Sequence, residues 1–303
     1  MDDVSDSGKS QTLLIAGCGY LGQRVAEAWL QRGHRVAALT RSEQRAAQLR
    51  PEGIEPLVLD LADPDDAVKL PAASCVLWAV GYDRSADVSR ETVWLDGLRW
   101  FINQLPSSVR RFAYVSSTSV YGNNDGQQVD ESTPTDPQSE GGRCCVQAEQ
   151  IVRQAFGSDD RATVLRLAGI YGPNRLLRKV SDLKAGHPMP GDPEAWLNLI
   201  HVDDAVRMVE TVFTMELPPE LLNVVNSGTV TRREYYTTLA RLVDAPEPTF
   251  EHSSAGSGRS RGGNKKVVSS RADQLAASYL FDDVRAGLAD AVRRSNDLIF
   301  DHA

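Results

Sequence analysis

Gly17, Gly19 and Gly22 stand in the stretch GCGYLG, directly after the apolar run TLLIAG and at the start of a helical pattern that opens with Tyr20 and Leu21. In that setting the first glycine allows a tight turn, the second lets the backbone approach a pyrophosphate, and the third lets helix pack on strand. The start of the helix adds free N–H groups and a partial positive charge for the anion. The chemistry is dinucleotide binding. About 20 residues on, LTRSEQR closes the second apolar run with Thr40, Arg41 and Ser42. An NAD site usually carries Asp or Glu there, for the ribose 2′-hydroxyl. Hydroxyls and a guanidinium, with Arg45 a turn further, suit a 2′-phosphate dianion instead. NADP is therefore expected in preference to NAD.

Further positions follow from their place after each apolar run. Asp60 and Leu61 are set to meet the adenine, and Ala79, Val80 and Gly81 to pass beneath the cofactor. Tyr82 and Asp83 come next, in AVGYDRS, on a loop at the carboxyl end of a strand, where open α/β sheets place ligands. They are candidates for substrate contact and for acid/base work. Ser116 and Ser117 close the fifth run, RRFAYVSS, and Ser116 extends the cofactor set.

Positioning these residues takes a succession of strands and helices. TLLIAG, HRVAALT, EPLVLDL, SCVLWAV and RRFAYVSS read as strands one to five, RATVLRLAGIYG as a sixth and LLNVVNS as a later one, with a helix over VDDAVRMVETVF. Their continuous apolar character fits strands covered on both faces, and the alternation with helical segments gives an α/β fold. In the helix after the glycines, Leu21, Val25, Ala28 and Trp29 form the inner face. The expectation is a Rossmann-type doubly wound parallel sheet with a smaller C-terminal substrate lobe. Residues 1–11 read as a disordered leader, 12–170 with 198–228 as the nucleotide domain, and 171–197 with 229–303 as the lobe.

The 303 residues are 41% hydrophobic, enough for one large core and a smaller one. A net charge of -8 offers no footprint for nucleic acid or an anionic membrane, and no apolar run approaches the roughly 18 residues of a membrane span. A cytoplasmic protein acting on a small molecule is expected. Cys18, Cys75, Cys144 and Cys145 show no metal-ligand spacing, so reduced thiols and no metal are expected.

GCGYLG, VSSTSVYG, LRLAGIYGP, NLIHVDDAV and NVVNSG occur in order. Together they resemble the extended short-chain dehydrogenase/reductase family of NAD(P)-dependent epimerases, dehydratases and reductases, over about residues 12 to 245. The resemblance implies that Ser117 polarises a substrate oxygen, with Thr118 adjacent. It also implies a proton-transferring Tyr and, four residues later, a Lys that lowers its pKa. Those two places hold Gly141 and Cys145 in SEGGRCCVQAEQI. Glycine has nothing to titrate, and a cysteine supplies no fixed positive charge. The pattern is similar to the atypical branch of the family, which keeps the nucleotide fold and lacks the catalytic Tyr. A homodimer is common in the family and is carried over by analogy alone.

Other residues bear on the missing chemistry. Tyr121 of VYG reads as structural, and Cys145 as either a small packing residue or a thiolate favoured by the nicotinamide's positive charge. Arg143 is an anion anchor or a solvated side chain. His201 reads as a packing residue, with Asp203 and Asp204 in the N-cap region of the next helix. Arg259, Arg261, Lys265 and Lys266 are either a solvated basic face or a lid over an anionic substrate. Two functions result: an NADP(H)-dependent oxidoreductase or epimerase with a non-standard acid/base group, and a non-catalytic NADP(H)-binding redox sensor or partner-binding protein.

Overall fold

A computed structural model describes residues 10–83, 85, 87–122, 125–157, 160–251, 263–271, 275, 279–281 and 283–295. Most of the expected leader, Arg84, and the loop with Arg259 and Arg261 lie outside them. The short strands in chain order are β1 (Thr12–Ala16), β2 (Arg35–Thr40), β3 (Glu55–Val58), β4 (Cys75–Trp78), β5 (Arg111–Ser117), β6 (Gln128–Val129), β7 (Ala162–Leu167) and β8 (Gly169–Tyr171). They continue with β9 (Met189–Pro190), β10 (Trp196–Leu197), β11 (Leu199–His201), β12 (Leu221–Val224), β13 (Val230–Thr231), β14 (Phe250–Glu251) and β15 (Lys266–Val267). The helices are α1 (Tyr20–Gln31), α2 (Glu43–Leu49), α3 (Gly97–Asn103), α4 (Glu140–Phe156), α5 (Leu177–Lys184), α6 (Val202–Thr214), α7 (Arg232–Leu242) and α8 (Val284–Arg293).

A parallel seven-stranded sheet in the order β12-β7-β5-β4-β1-β2-β3 carries the nucleotide fold, as the sequence leads one to expect. The order steps outward from β1 in both directions, β2 to one side and β4 to the other, which makes the carboxyl end of β1 the crevice where doubly wound sheets bind ligands. Leu13, Leu14 and Ile15 of β1 are fully buried. β3, at the edge, is only partly covered.

Two details depart from the sequence reading. The sixth strand is not one piece: β7 ends at Leu167, and β8 leaves the sheet to pair with β11. Gly169 permits this, because a Cβ there would lie 3.2 Å from the Leu199 side chain and 3.3 Å from the Asn198 carbonyl. On α1 the inner face is Leu21, Gly22, Val25, Ala26 and Trp29, whereas Ala28 is only half-buried.

The chain forms two compact units. One comprises Met1–Val115, Gln147–Val164 and Val209–Glu220, the other Ser116–Val146, Leu165–Met208 and Leu221–Ala303. In the second, an apolar cluster around Tyr171, Val180, Met189, Tyr235, Leu239 and Leu288 is closed over by α5, α7 and α8. A short parallel pair, β6 with β15, ties residues 128–129 to 266–267.

Candidate cofactor and active site

In the first unit the glycines of GCGYLG do three different things. Gly17 has φ +95°, and a Cβ on it would sit 2.4 Å from the Ala79 carbonyl carbon and 2.6 Å from the Val80 nitrogen. The turn therefore lies directly on Ala79 and Val80, just past the end of β4. Gly22 packs as tightly, with its Cβ position 2.4 Å from the Gly17 carbonyl oxygen. Gly19 faces open space, with nothing within 4 Å of its Cβ position. Gly19 is also the N-cap of α1, with no side-chain cap and no acidic residue in the first turn. The turn, the open face and the uncapped N–H groups fit a dinucleotide pyrophosphate. Tyr20 is half-buried under the Arg24 guanidinium, 4.0 Å from its ring centre, and Leu21 points into the core.

The residues expected to meet the adenosine are held by local turns. Asp60 accepts from the Ala62 N–H at 2.9 Å, and Leu61 is gripped where Gly97 of α3 brings its missing Cβ to 2.6 Å from the Leu61 carbonyl oxygen. Thr40 is half-buried, and Gly81 has open space on its Cβ side. Ser42 is the N-cap of α2, accepting from the Arg45 N–H at 3.3 Å. Arg45 Nη2 donates to Gln23 Oε1 at 2.7 Å and to the Cys18 carbonyl at 3.3 Å, strapping α2 to the glycine turn. Arg41 Nη2 pairs with Asp83 Oδ2 at 3.1 Å.

That pair changes how the loop after β4 reads. Asp83 also accepts from the N–H and hydroxyl of Ser85, and those bonds together with Arg41 hold its carboxyl at about 2, far below what a proton donor near neutrality needs. Tyr82 donates its hydroxyl to the Val88 carbonyl at 2.8 Å, while the Arg90 guanidinium lies 4.6 Å from its ring centre and Trp94 meets it edge-on. Both side chains brace the loop. Residues 92–96 form a single π-helical turn before α3, an element frequent at functional sites and without a signature in the residues themselves.

In the second unit, Ser117 ends β5 half-buried, its Oγ accepting the Ser119 N–H at 3.1 Å. A hydroxyl in that role still has its own proton to donate, which is what polarising a carbonyl or alcohol oxygen requires. Ser116 beside it is buried. The N-terminal turn of α4 follows Ser139, whose Oγ accepts the Gly142 N–H at 3.1 Å. Gly142 brings this turn against Ser119, its Cβ position 2.6 Å from the Ser119 carbonyl oxygen. Gly141 is half-buried, and Cys144 and Cys145 are buried free thiols.

Tyr121 is structural: its hydroxyl accepts from Arg166 Nη1 and donates to Asn223 Oδ1, each at 2.9 Å. Glu131, three-dimensionally next in this network, accepts from the N–H groups of Asn223 and Ser270. Burial alone would raise its carboxyl, and those bonds hold it below its usual range. His201 is fully buried between the rings of Tyr171 and Phe281. Asp203 and Asp204 lie in the first turn of α6, which starts at Val202. His201, Asp203 and Asp290 do gather, yet Arg294 already bridges the two carboxylates. Lys265, read as part of a solvated basic face or of a lid, is buried, which brings its ammonium down to about 8. Lys266 rests its Nζ over the Trp196 ring. No helix among the described residues is long and apolar enough to cross a membrane.

Residues 13–225 match the NAD dependent epimerase/dehydratase family. The chain belongs to that family. It is 27% identical to protein YeeZ of Escherichia coli over 245 residues, 79% of this chain and 86% of YeeZ. A functionally unknown conserved protein from Silicibacter pomeroyi superposes with a TM-score of 0.75 at 28% identity, covering 94% of this chain and 99% of that one. UDP-glucuronic acid 4-epimerase from Bacillus cereus, solved in complex with NAD, also reaches 0.75, at 16% identity over 95% of this chain and 99% of its own, a likeness of fold alone. The Rossmann-type architecture and the NAD(P)-binding family are thus common ground between chain and relatives.

Proposed function

We propose that the protein binds NADP(H) and acts as an atypical short-chain oxidoreductase or epimerase on a small polar or nucleotide-linked substrate, without a Tyr/Lys pair. The observation that carries this reading is the contrast between two places. The turn at Gly17, Gly19 and Gly22 is shaped for a pyrophosphate, while the register of the Tyr and Lys falls on Gly141 and a buried Cys145. NADP is preferred over the NAD of the Bacillus cereus enzyme because Arg41 and Ser42 stand at the end of β2 without a carboxylate of their own. When bound, the cofactor supplies hydride chemistry. Ser117 donates a hydrogen bond to the substrate oxygen that gains negative charge. The acid/base partner sought on the 81–85 loop is better looked for elsewhere, since Asp83 is held deprotonated and Tyr82 is engaged with Val88.

A second reading, a non-catalytic NADP(H)-binding sensor or partner-binding protein, draws on the same engagement of Tyr82 and Asp83. A screen of carbonyl, alcohol and nucleotide-sugar substrates with NADPH and NADP, repeated on Ser117→Ala, separates the two. Turnover that Ser117→Ala lowers by about 10²-fold or more supports the enzyme. Binding of cofactor with no turnover in the whole screen supports the sensor.

A further inference from the structure

We propose that Asp83 sets how strongly the adenosine end discriminates NADP(H) from NAD(H), its carboxylate competing with a ribose 2′-phosphate for Arg41. The inference rests on the reading of Arg41 as the 2′-phosphate ligand. Sites that select NAD carry an acidic residue at the end of the second strand, where it accepts the 2′-hydroxyl and repels a phosphate. Here that strand ends in LTRS, with no acid. A carboxylate nonetheless arrives in the same place from 42 residues away, on the loop after β4, with Asp83 Oδ2 at 3.1 Å from Arg41 Nη2.

The placement of Asp83 is fixed from its other oxygen. Oδ1 accepts from the Ser85 N–H at 3.0 Å and from the Ser85 hydroxyl at 2.6 Å, so the carboxylate is anchored to its own loop and Arg41 is the mobile partner. Both side chains stay accessible to a ligand, at 59% and 43% exposure. With a 2′-phosphate present, Arg41 turns from Asp83 to the dianion and the unpaired carboxylate opposes it. With a 2′-hydroxyl, the Arg41–Asp83 pair persists and Asp83 can accept the hydroxyl's proton in a hydrogen bond. The guanidinium thus favours NADP(H), the carboxylate offsets part of that preference, and the site admits both cofactors.

Calorimetric titrations of NADPH and NADH into the wild type, Asp83→Asn, Arg41→Ala and the double variant test this, with thermal melts showing that each is folded. Asn keeps the shape and an acceptor for Ser85 while removing the charge. Asp83→Asn is expected to raise the NADPH-over-NADH preference about two- to fivefold, through tighter NADPH, the range of an exposed charge pair. Arg41→Ala, which leaves the carboxylate unopposed, is expected to invert the preference, and the double variant to restore it toward parity. If Arg41→Ala weakens NADPH while Asp83→Asn leaves its affinity unchanged or lower, the role of Asp83 is overturned and the phosphate reading stands. If Arg41→Ala leaves NADPH affinity untouched, the phosphate reading itself fails and the inference falls with it.

Discussion

Gly17 and Gly19 belong to one motif, and the structure separates their duties sharply enough for two substitutions to be told apart. At Gly17, any side chain meets main chain: its Cβ would lie 2.4 Å from both the carbonyl carbon and oxygen of Ala79. Its φ of +95° adds a conformational cost. Gly17→Ala is therefore expected to cost about 1–2 kcal/mol for the backbone and about 1–3 kcal/mol for overpacking. For a chain of this size that lowers the melting temperature by ~3–8 °C. Gly19 has an ordinary negative φ of -96° and empty space before it, so Gly19→Val should melt within about 2 °C of the wild type. Its side chain occupies the pyrophosphate's approach, and NADPH affinity should fall by at least about 10²-fold. Differential scanning calorimetry and NADPH titration of both variants provide the check. A Gly19→Val protein that binds NADPH normally would refute the placement of the cofactor, and a Gly17→Ala protein as stable as the wild type would refute the packing argument.

Three further outcomes are expected. Tyr121→Phe should cost ~1–3 kcal/mol in urea unfolding, because it removes the buried hydroxyl that accepts from Arg166 and donates to Asn223, while NADPH affinity stays the same. Asp204 is fully buried, and desolvation raises its carboxyl to about 6 from 3.8, so between those values the folded protein keeps a proton that the unfolded chain has released. Stability should then fall as pH rises from about 4 to about 6, by ~1–3 kcal/mol, and Asp204→Asn should flatten that part of the profile; an unchanged slope would contradict the assignment. Gly141→Tyr with Cys145→Lys should yield weak alcohol oxidation where the wild type has none on the same substrate, and a folded double variant with no gain would show that the N-terminal part of α4 does not present these positions to substrate.

Local chemistry made much of the first unit legible. Residues 12 to 40 declare a strand, a glycine turn, a helix and a second strand because each glycine, apolar run and cap acts within a few positions of itself. Contacts set by the long-range path of the chain were not readable. The apolar run RATVLRLAGIYG gives no sign that β8 leaves the sheet, since burial is continuous through β7 and the strand that β8 pairs with, β11, lies 30 residues on. Arg41 and Arg45 look equivalent in LTRSEQR, yet one meets Asp83 and the other the Cys18 carbonyl and Gln23. Lys265 directly follows a glycine-, serine- and arginine-rich stretch that reads as solvated, yet it is buried next to β15, which pairs with β6 from 138 residues earlier.

The proposed site takes a ribose 2′-phosphate on Arg41, in a protein that works without the Tyr/Lys pair. Side-by-side calorimetric titration of the wild-type chain with NADPH and NADH tests it most directly. A charge-assisted contact from Arg41 predicts NADPH binding about tenfold tighter than NADH. Equal affinities, tighter NADH, or no binding of either nucleotide would contradict it.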